Sequence, residues 1–500
     1  MTVDKLNIES IAVIGGGPGG IAATYEFLHT KADGTSTVGG AVPEFKERAF
    51  KKIVGFEQKD KLGGTWATSI DKPDVPDDKI WEDEYYKPEV IHPKIETPSD
   101  LSEGNTYDKP LVVEGANNNN QWRRSPVYPG LYTNVPRRFL RFSSIKYEPP
   151  AKDSSKQIDP LITYQEVGQV LDKFTDDNKL LDYFRLNSQV QDVKKTSDGK
   201  WVLTIRETKD GKDHWYIEQF DAVAVASGHY SVPYIPKIEG LSTREPGSFI
   251  HAKSFRTVDQ FKDQNVIIAG SSLSGVDIAQ YLHKVVKSLT FSRTPNKPEI
   301  FPWIKEAVES YPNRARINKI DGKTVYFDDG TSQDNVDKII FATGYHWDYP
   351  YLSDQFLKLS NPNGGKDPIG SSRIKGLFWD TININDPTLG FVGVTLSSLQ
   401  FHTIETSAAV LAGIWSNAKT LPPKEEQRQW EQKRLEETVD SYIFHYYPPP
   451  QVKEDYVDKL WTYVPKNRPY LLENEDFGDF DKAIAAAESV FYEVREGKYT

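Results

Sequence analysis

Two short glycine-rich runs carry most of the chemistry legible in this chain. The first is Gly15-Gly16-Gly17-Pro18-Gly19-Gly20, directly after the apolar run Ile11-Ala12-Val13-Ile14. The second is Gly270-Ser271-Ser272-Leu273-Ser274-Gly275, directly after Val266-Ile267-Ile268-Ala269. Each reads as a buried strand feeding a tight turn and then a helix. Glycines there let the backbone close on a pyrophosphate at the positive end of the helix. The residues that follow the two helices differ in charge. Val54-Gly55-Phe56-Glu57 ends on a carboxylate, which suits a ribose 2′-hydroxyl. Leu289-Thr290-Phe291-Ser292-Arg293 ends on a guanidinium, which with Ser292 suits a 2′-phosphate. The first turn therefore reads as a site for FAD and the second as one for NADPH. A chain that holds both is built to pass a hydride from nicotinamide to flavin.

Five hundred residues are too many for one core. The expected fold is α/β, with two dinucleotide-binding (Rossmann-like) domains and the NADPH domain inserted into the FAD domain. The boundaries read as 1–230 for the first part of the FAD domain, 231–340 for the NADPH domain, and 341–500 for the rest with a helical C-terminal region. Within the first part, an insert at Gly34–Gly40 delays the strand that ends at Glu57. The stretch from Ile70 to Trp122, with its polar tract Asn117–Asn120, shows neither hydrophobic period and reads as an elaborated surface loop. From Leu180 to Phe220 alternating apolar residues, with Asp198-Gly199 and Asp210-Gly211 as turns, predict an antiparallel meander. Asp221–His229 and Val336–Tyr345 read as strands ending in glycine crossovers, with a hinge at Val232–Ile238. Pro422–Thr438 reads as an amphipathic, charged segment.

The net charge of −11 speaks against nucleic acid and anionic membrane surfaces as partners. No apolar run is long enough for a membrane helix, and Met1-Thr2-Val3-Asp4-Lys5 lacks the features of a secretion signal. The expected location is the cytoplasm, with peripheral association with the endoplasmic reticulum as an alternative. Cysteine is absent and Met1 is the only methionine, which excludes disulfides, thiolate metal sites and a cysteine relay. Three accounts of the missing sulfur stand level: drift or engineering, protection from an oxidant made in the site, and sulfur economy.

Gly247-Ser248-Phe249-Ile250-His251-Ala252-Lys253-Ser254-Phe255-Arg256 matches FxGxxxHxxx(Y/F)(K/R) at glycine, histidine, aromatic and base, with Glu245 in place of the leading Phe. With Gly63-Gly64-Thr65-Trp66, Leu131–Pro136, Ser274–Asp277 and Ala342-Thr343-Gly344-Tyr345, this resembles the flavin-containing monooxygenases, fungal members in particular, over nearly the whole chain. Related Baeyer–Villiger enzymes carry tryptophan at the position of Phe255. The resemblance implies that NADPH reduces FAD, that a flavin C(4a) hydroperoxide forms with dioxygen, and that a small sulfur or nitrogen nucleophile takes the distal oxygen. It implies no nucleophile–base pair in the protein, and substrate placement and water exclusion as its tasks. Asn134, between Thr133 and Val135, becomes the catalytic residue beside flavin N(5). Gly64, Thr65 and Trp66 would approach the flavin, and Asp277, Thr343 and Gly344 would border the carriers. Gln400, Phe401 and Thr403 would start an apolar helix facing the flavin pyrimidine. His402 there is either a flavin neighbour or a buried structural histidine. Lys253 and Arg256 are candidate extra phosphate contacts, His251 a structural linker, and Arg123 and Arg124 beside Trp122 candidates for an entrance. A homodimer is one expectation. Ketone oxygenation and a non-oxygenating NADPH oxidase or redox sensor are the alternative functions.

Overall fold

The computed structural model describes residues 5–67, 85–116, 124–149, 158–245, 247–295, 301–360, 372–448, 451–473 and 475–498. Trp122, Arg123 and the tract Asn117–Asn120 lie outside these residues. Ser10–Ile14 is an interior strand of a seven-stranded sheet, parallel to Lys52–Phe56 on one side and to Ala222–Val225 on the other. Ile11, Ala12 and Val13 are fully buried because both faces are covered, Ile11 and Val13 by the helices Pro18–Leu28 and Gln400–Trp415 and Ala12 by the meander of Ser188–Phe220, which is why the strand reads as an unbroken apolar run. Beyond Ala222–Val225 the sheet continues through Leu389–Phe391, Ile382–Asn383 and Leu377–Phe378. Two distant stretches of chain therefore build one sheet.

The five-stranded second sheet lies between those stretches in sequence. Its strands Asn313–Arg314, Ser288–Ser292, Asn265–Ala269, Lys338–Phe341 and Phe249–His251 are all parallel. The fold is two Rossmann-like units, one inserted in the other. The edge strand Phe249–His251 belongs to the Gly247–Arg256 motif, so that motif closes the second sheet.

The meander appears as expected at Ser188–Lys195, Trp201–Lys209 and Lys212–Phe220. Asp210 and Gly211 both adopt positive φ, 50° and 76°, giving the two-residue turn whose twist suits adjoining strands. A fourth strand, Leu111–Glu114, pairs with Lys212–Trp215. The loop expected from Ile70 to Trp122 is thus corrected: Pro110 and Gly115 bracket a four-residue strand too short for its period to show. A second correction concerns Lys424–Glu437. This helix buries only Gln427, with Trp430 half-covered, so it is charged nearly all round rather than amphipathic. Among the described residues, no helix is long and apolar enough to cross a membrane.

Candidate active site

The first glycine turn is shaped by close backbone approach. Gly15 adopts φ +108°, and a Cβ there would stand 2.5 Å from the Ala226 carbonyl oxygen. Gly20, in the helix Pro18–Leu28, lies so near Gly15 that a Cβ would stand 1.8 Å from the Gly15 oxygen. Pro18 opens this helix, where its missing N–H costs nothing, and Gly17 caps it without a side chain. Gly64 packs on Gly17, with 2.7 Å available where its Cβ would be. Glu57, 4% exposed, ties these pieces together. Its Oε2 accepts the Gly16 N–H at 2.6 Å and its Oε1 the Lys59 N–H at 2.8 Å, while Lys59 Nζ donates to the Gly64 carbonyl.

The second turn repeats the first. Gly270 has φ +108° with the Ala342 oxygen 2.5 Å or less from its absent Cβ, at 2.3 Å, and Gly275 lies 2.5 Å from the Gly270 oxygen by the same measure. Ser272 caps the helix Leu273–Leu282, and Ser274 in its first turn is exposed. Both turns thus have the bare backbone and helix start that a dinucleotide pyrophosphate requires. Ser292 turns its hydroxyl inward to the Ala315 carbonyl at 2.8 Å, and Arg293 stands 3.5 Å from the carboxylate of Glu309.

A cleft of about 560 Å³ runs from Gly15, Gly17, Pro18 and Gly19 past Glu57 and Gly64-Thr65-Trp66. It continues along Thr133-Asn134-Val135 to Gln400 and Phe401, and Leu273 of the second helix reaches its wall. Thr133 explains the presentation of Asn134. Its N–H donates to the Ile162 carbonyl at 2.8 Å and its hydroxyl to the Val135 carbonyl at 2.8 Å, so Thr133 and Val135 are buried and Asn134 is left exposed between them. Gln400 and Phe401 form the first turn of the helix Gln400–Trp415. The Gln400 side-chain amide donates back to the Thr395 carbonyl, and the Gln400 main-chain carbonyl accepts from the hydroxyl of Thr403, which is fully buried. His402, also fully buried, faces Glu475 at 3.7 Å and the Phe139 ring.

The remaining predicted residues lie behind these walls. Asp277 accepts a hydrogen bond from Gln280 at 2.7 Å. The residue is partly exposed, but its Oδ2 is buried without a partner, and burial pushes the carboxyl up to about 7. Thr343 donates to the Tyr234 carbonyl, and the Gly344 carbonyl accepts from His251 Nε2 at 2.9 Å. Lys253 and Arg256 are corrected as phosphate contacts. They are 2% and 6% exposed and donate to the carbonyls of Ser231 and of Lys253, Phe255 and Ser125. Both cations clamp backbone where the two units meet. Arg124 lines the cleft. Sequence reasoning missed the opposite wall, where His92 meets Asp348 at 2.5 Å and Tyr351 meets Ser227 at 2.9 Å. The aromatic run His346–Tyr351 after the crossover was its only sign.

Buried histidines make the fold sensitive to acid. Burial pushes His251 down to about 3, and His29 and His346 down to about 4. A free imidazole takes its proton near pH 6.5, so below that the unfolded chain binds protons that the folded chain refuses. Stability therefore falls as pH drops from about 6.5 to about 4, and thermal melts across that window should show it. A flat profile there would contradict the burial of these rings.

Fold and cleft together define a flavoprotein oxidoreductase with two dinucleotide sites. The chain belongs to the FMO-like family, flavin-binding monooxygenase-like, whose model matches residues 117–300 and 305–467. It is 27% identical over 473 residues to flavin-containing monooxygenase iboF of Amanita muscaria (strain Koide BX008), covering 85% of this chain and 81% of that one. It is 27% identical over 459 residues to a trimethylamine monooxygenase of Methylocella silvestris, covering 87% and 81%. In fold it is similar to the crystal structure of Tmm from Pelagibacter sp. strain HTCC7211, with TM-score 0.67 and 20% identity over 97% of this chain and 92% of that one. It is also similar to S-allyl-L-cysteine S-oxygenase from Allium sativum, with TM-score 0.63 and 23% identity over 98% and 100%. The chain is an enzyme, a monooxygenase that depends on FAD and NADPH.

Proposed function

We propose that this monooxygenase transfers one oxygen atom of dioxygen to a soft sulfur or nitrogen nucleophile: a thiol, thioether, amine or other organosulfur compound. The balance is NADPH, a proton, dioxygen and substrate in; NADP⁺, water and the oxygenated substrate out. The flavin, once reduced, supplies the oxygen activation, in the hydroperoxide form that the sequence resemblance implies. Residues 1–230 and 341–500 hold FAD in this reading, and 231–340 hold NADPH. Gly15–Gly20 take the FAD pyrophosphate, Glu57 its ribose, and Gly64–Trp66 approach the ring. Gly270–Gly275 take the NADPH pyrophosphate, with Arg293 leaving its loose contact to Glu309 for the 2′-phosphate. Asn134 holds the reacting edge by hydrogen bonding, and the helix start at Gln400 and Phe401 offsets negative charge on the pyrimidine.

The observation that carries this reading is the position of Asn134. It stands exposed on one cleft that begins at the first glycine turn and touches the helix of the second. The trimethylamine monooxygenase and the S-allyl-L-cysteine S-oxygenase among the similar proteins support nitrogen and sulfur as acceptors. The test is NADPH consumption with a thioether, a small thiol, a tertiary amine and a cyclic ketone, with hydrogen peroxide measured alongside. Asn134→Ala should lower oxygenation about tenfold or more, the loss of one hydrogen bond to a charged group, and divert the electrons to peroxide. Arg293→Ala should raise the KM for NADPH by a similar factor and leave that for NADH unchanged. Turnover of the ketone alone would replace this reading with a Baeyer–Villiger one.

A further inference from the structure

The segment that presents Asn134 crosses from one core to the other. Tyr128 and Leu131 pack in the core of the second sheet with Tyr281, whereas Val135 packs in the core of the first. Between them the segment is fastened to one face of the helix Leu273–Leu282. Tyr281 donates its hydroxyl to the Gly130 carbonyl at 2.9 Å. Tyr132 donates its hydroxyl to Gln280 Oε1 at 2.9 Å, and Gln280 Nε2 donates to Asp277 Oδ1 at 2.7 Å. Residues 277, 280 and 281 share a helix face by their three- and four-residue spacing. Gln280 is 2% exposed, so its amide faces no competing water. On the segment's other flank, Thr133 is bonded to Ile162, and the Leu131 carbonyl accepts from Tyr164. The same helix begins at the second glycine turn, four residues before Asp277.

We propose that Gln280 is a positioning residue for Asn134: with Asp277 and Tyr132 it couples the helix that receives the nicotinamide carrier to the asparagine that faces the flavin. This rests on the role given to Asn134 above. The amide suits the task because it must donate to a carboxylate on one side and accept from a phenol on the other. A hydrocarbon breaks both links. Occupation of the second turn then fixes Asn134 through a rigid path of three side chains.

The experiment partitions NADPH between oxygenated thioether and hydrogen peroxide in the FAD-loaded enzyme, and records the change in flavin absorption when NADP⁺ is added. Gln280→Leu should raise the ratio of peroxide to product about fivefold, the equivalent of one neutral hydrogen bond, and shrink the NADP⁺-induced absorption change. Tyr132→Phe, a milder change, should act in the same direction. The pair Asp277→Asn with Gln280→Glu should recover the wild-type ratio, because the new amide donates to the new carboxylate, which still accepts from Tyr132. In an Asn134→Ala background, Gln280→Leu should have no further effect. If Asn134→Ala shifts the ratio while Gln280→Leu and Tyr132→Phe do not, or if the swap fails to restore it, the coupling is wrong. If Asn134→Ala itself leaves the ratio unchanged, the catalytic reading falls first and takes this one with it.

Discussion

Gly20→Ala yields a protein without bound flavin. The added methyl carbon would stand 1.8 Å from the carbonyl oxygen of Gly15, which is backbone and has no rotamer to change. The helix cannot retreat, because Ile21, Ala22 and Ala23 behind Gly20 are at most 2% exposed. Relief must come from moving the Gly15 turn itself, and that turn is the pyrophosphate cradle. The expected cost is about 3 kcal/mol or more, at the upper end for overpacking against a rigid neighbour. The ratio of visible to ultraviolet absorbance after purification measures it directly. Gly40→Ala is the control, since its nearest new contact, the Thr37 oxygen, is 3.3 Å away. Full flavin content in Gly20→Ala would show that the turn is not the cradle.

Arg468→Ala should cost about 3–5 kcal/mol of stability, because it strands two buried carboxylates. Arg468 is 1% exposed at its side chain and lies between Glu26 of the first helix and Glu405 of Gln400–Trp415. Its Nε donates to Glu26 Oε1 at 2.9 Å and its Nη2 to Glu405 Oε1 at 3.0 Å. Glu405 in turn accepts the Ser143 N–H and hydroxyl. Burial already raises the Glu26 carboxyl, and the guanidinium opposes that rise. Without it the carboxyl rises further, so the variant regains stability as pH falls and the group takes its proton. Denaturant unfolding near neutral and mildly acidic pH measures both effects. Arg468→Lys should recover only part of the loss, since an ammonium cannot reproduce the forked contacts. Equal deficits at the two pH values would mean that the damage is to packing and not to charge.

Much of this architecture was legible in the residues because its determinants are local. Gly15 and Gly270 announce themselves by the strands before them, and both prove to hold φ +108°. The meander was visible because Asp210-Gly211 punctuates an alternating pattern. Where the determinant is distant, the sequence is silent. Nothing near Arg468 points to Glu26, 442 residues away, and nothing near Tyr132 points to Gln280. Lys253 and Arg256 misled for the same reason. A cation in a motif looks like a phosphate ligand until the fold shows it buried against carbonyls. Leu111–Glu114 was lost to brevity, since four residues hold two periods of alternation and no more.

The interleaving of the first sheet also sets an order of events during synthesis. Ala222–Val225 emerges from the ribosome long before Leu389–Phe391, the strand that must lie beside it. Every strand of the second sheet, from Phe249 to Phe341, is made in the interval. The nascent chain can therefore pair every strand of the inserted unit while the unit around it still has an open edge, and flavin capture becomes a late step of maturation.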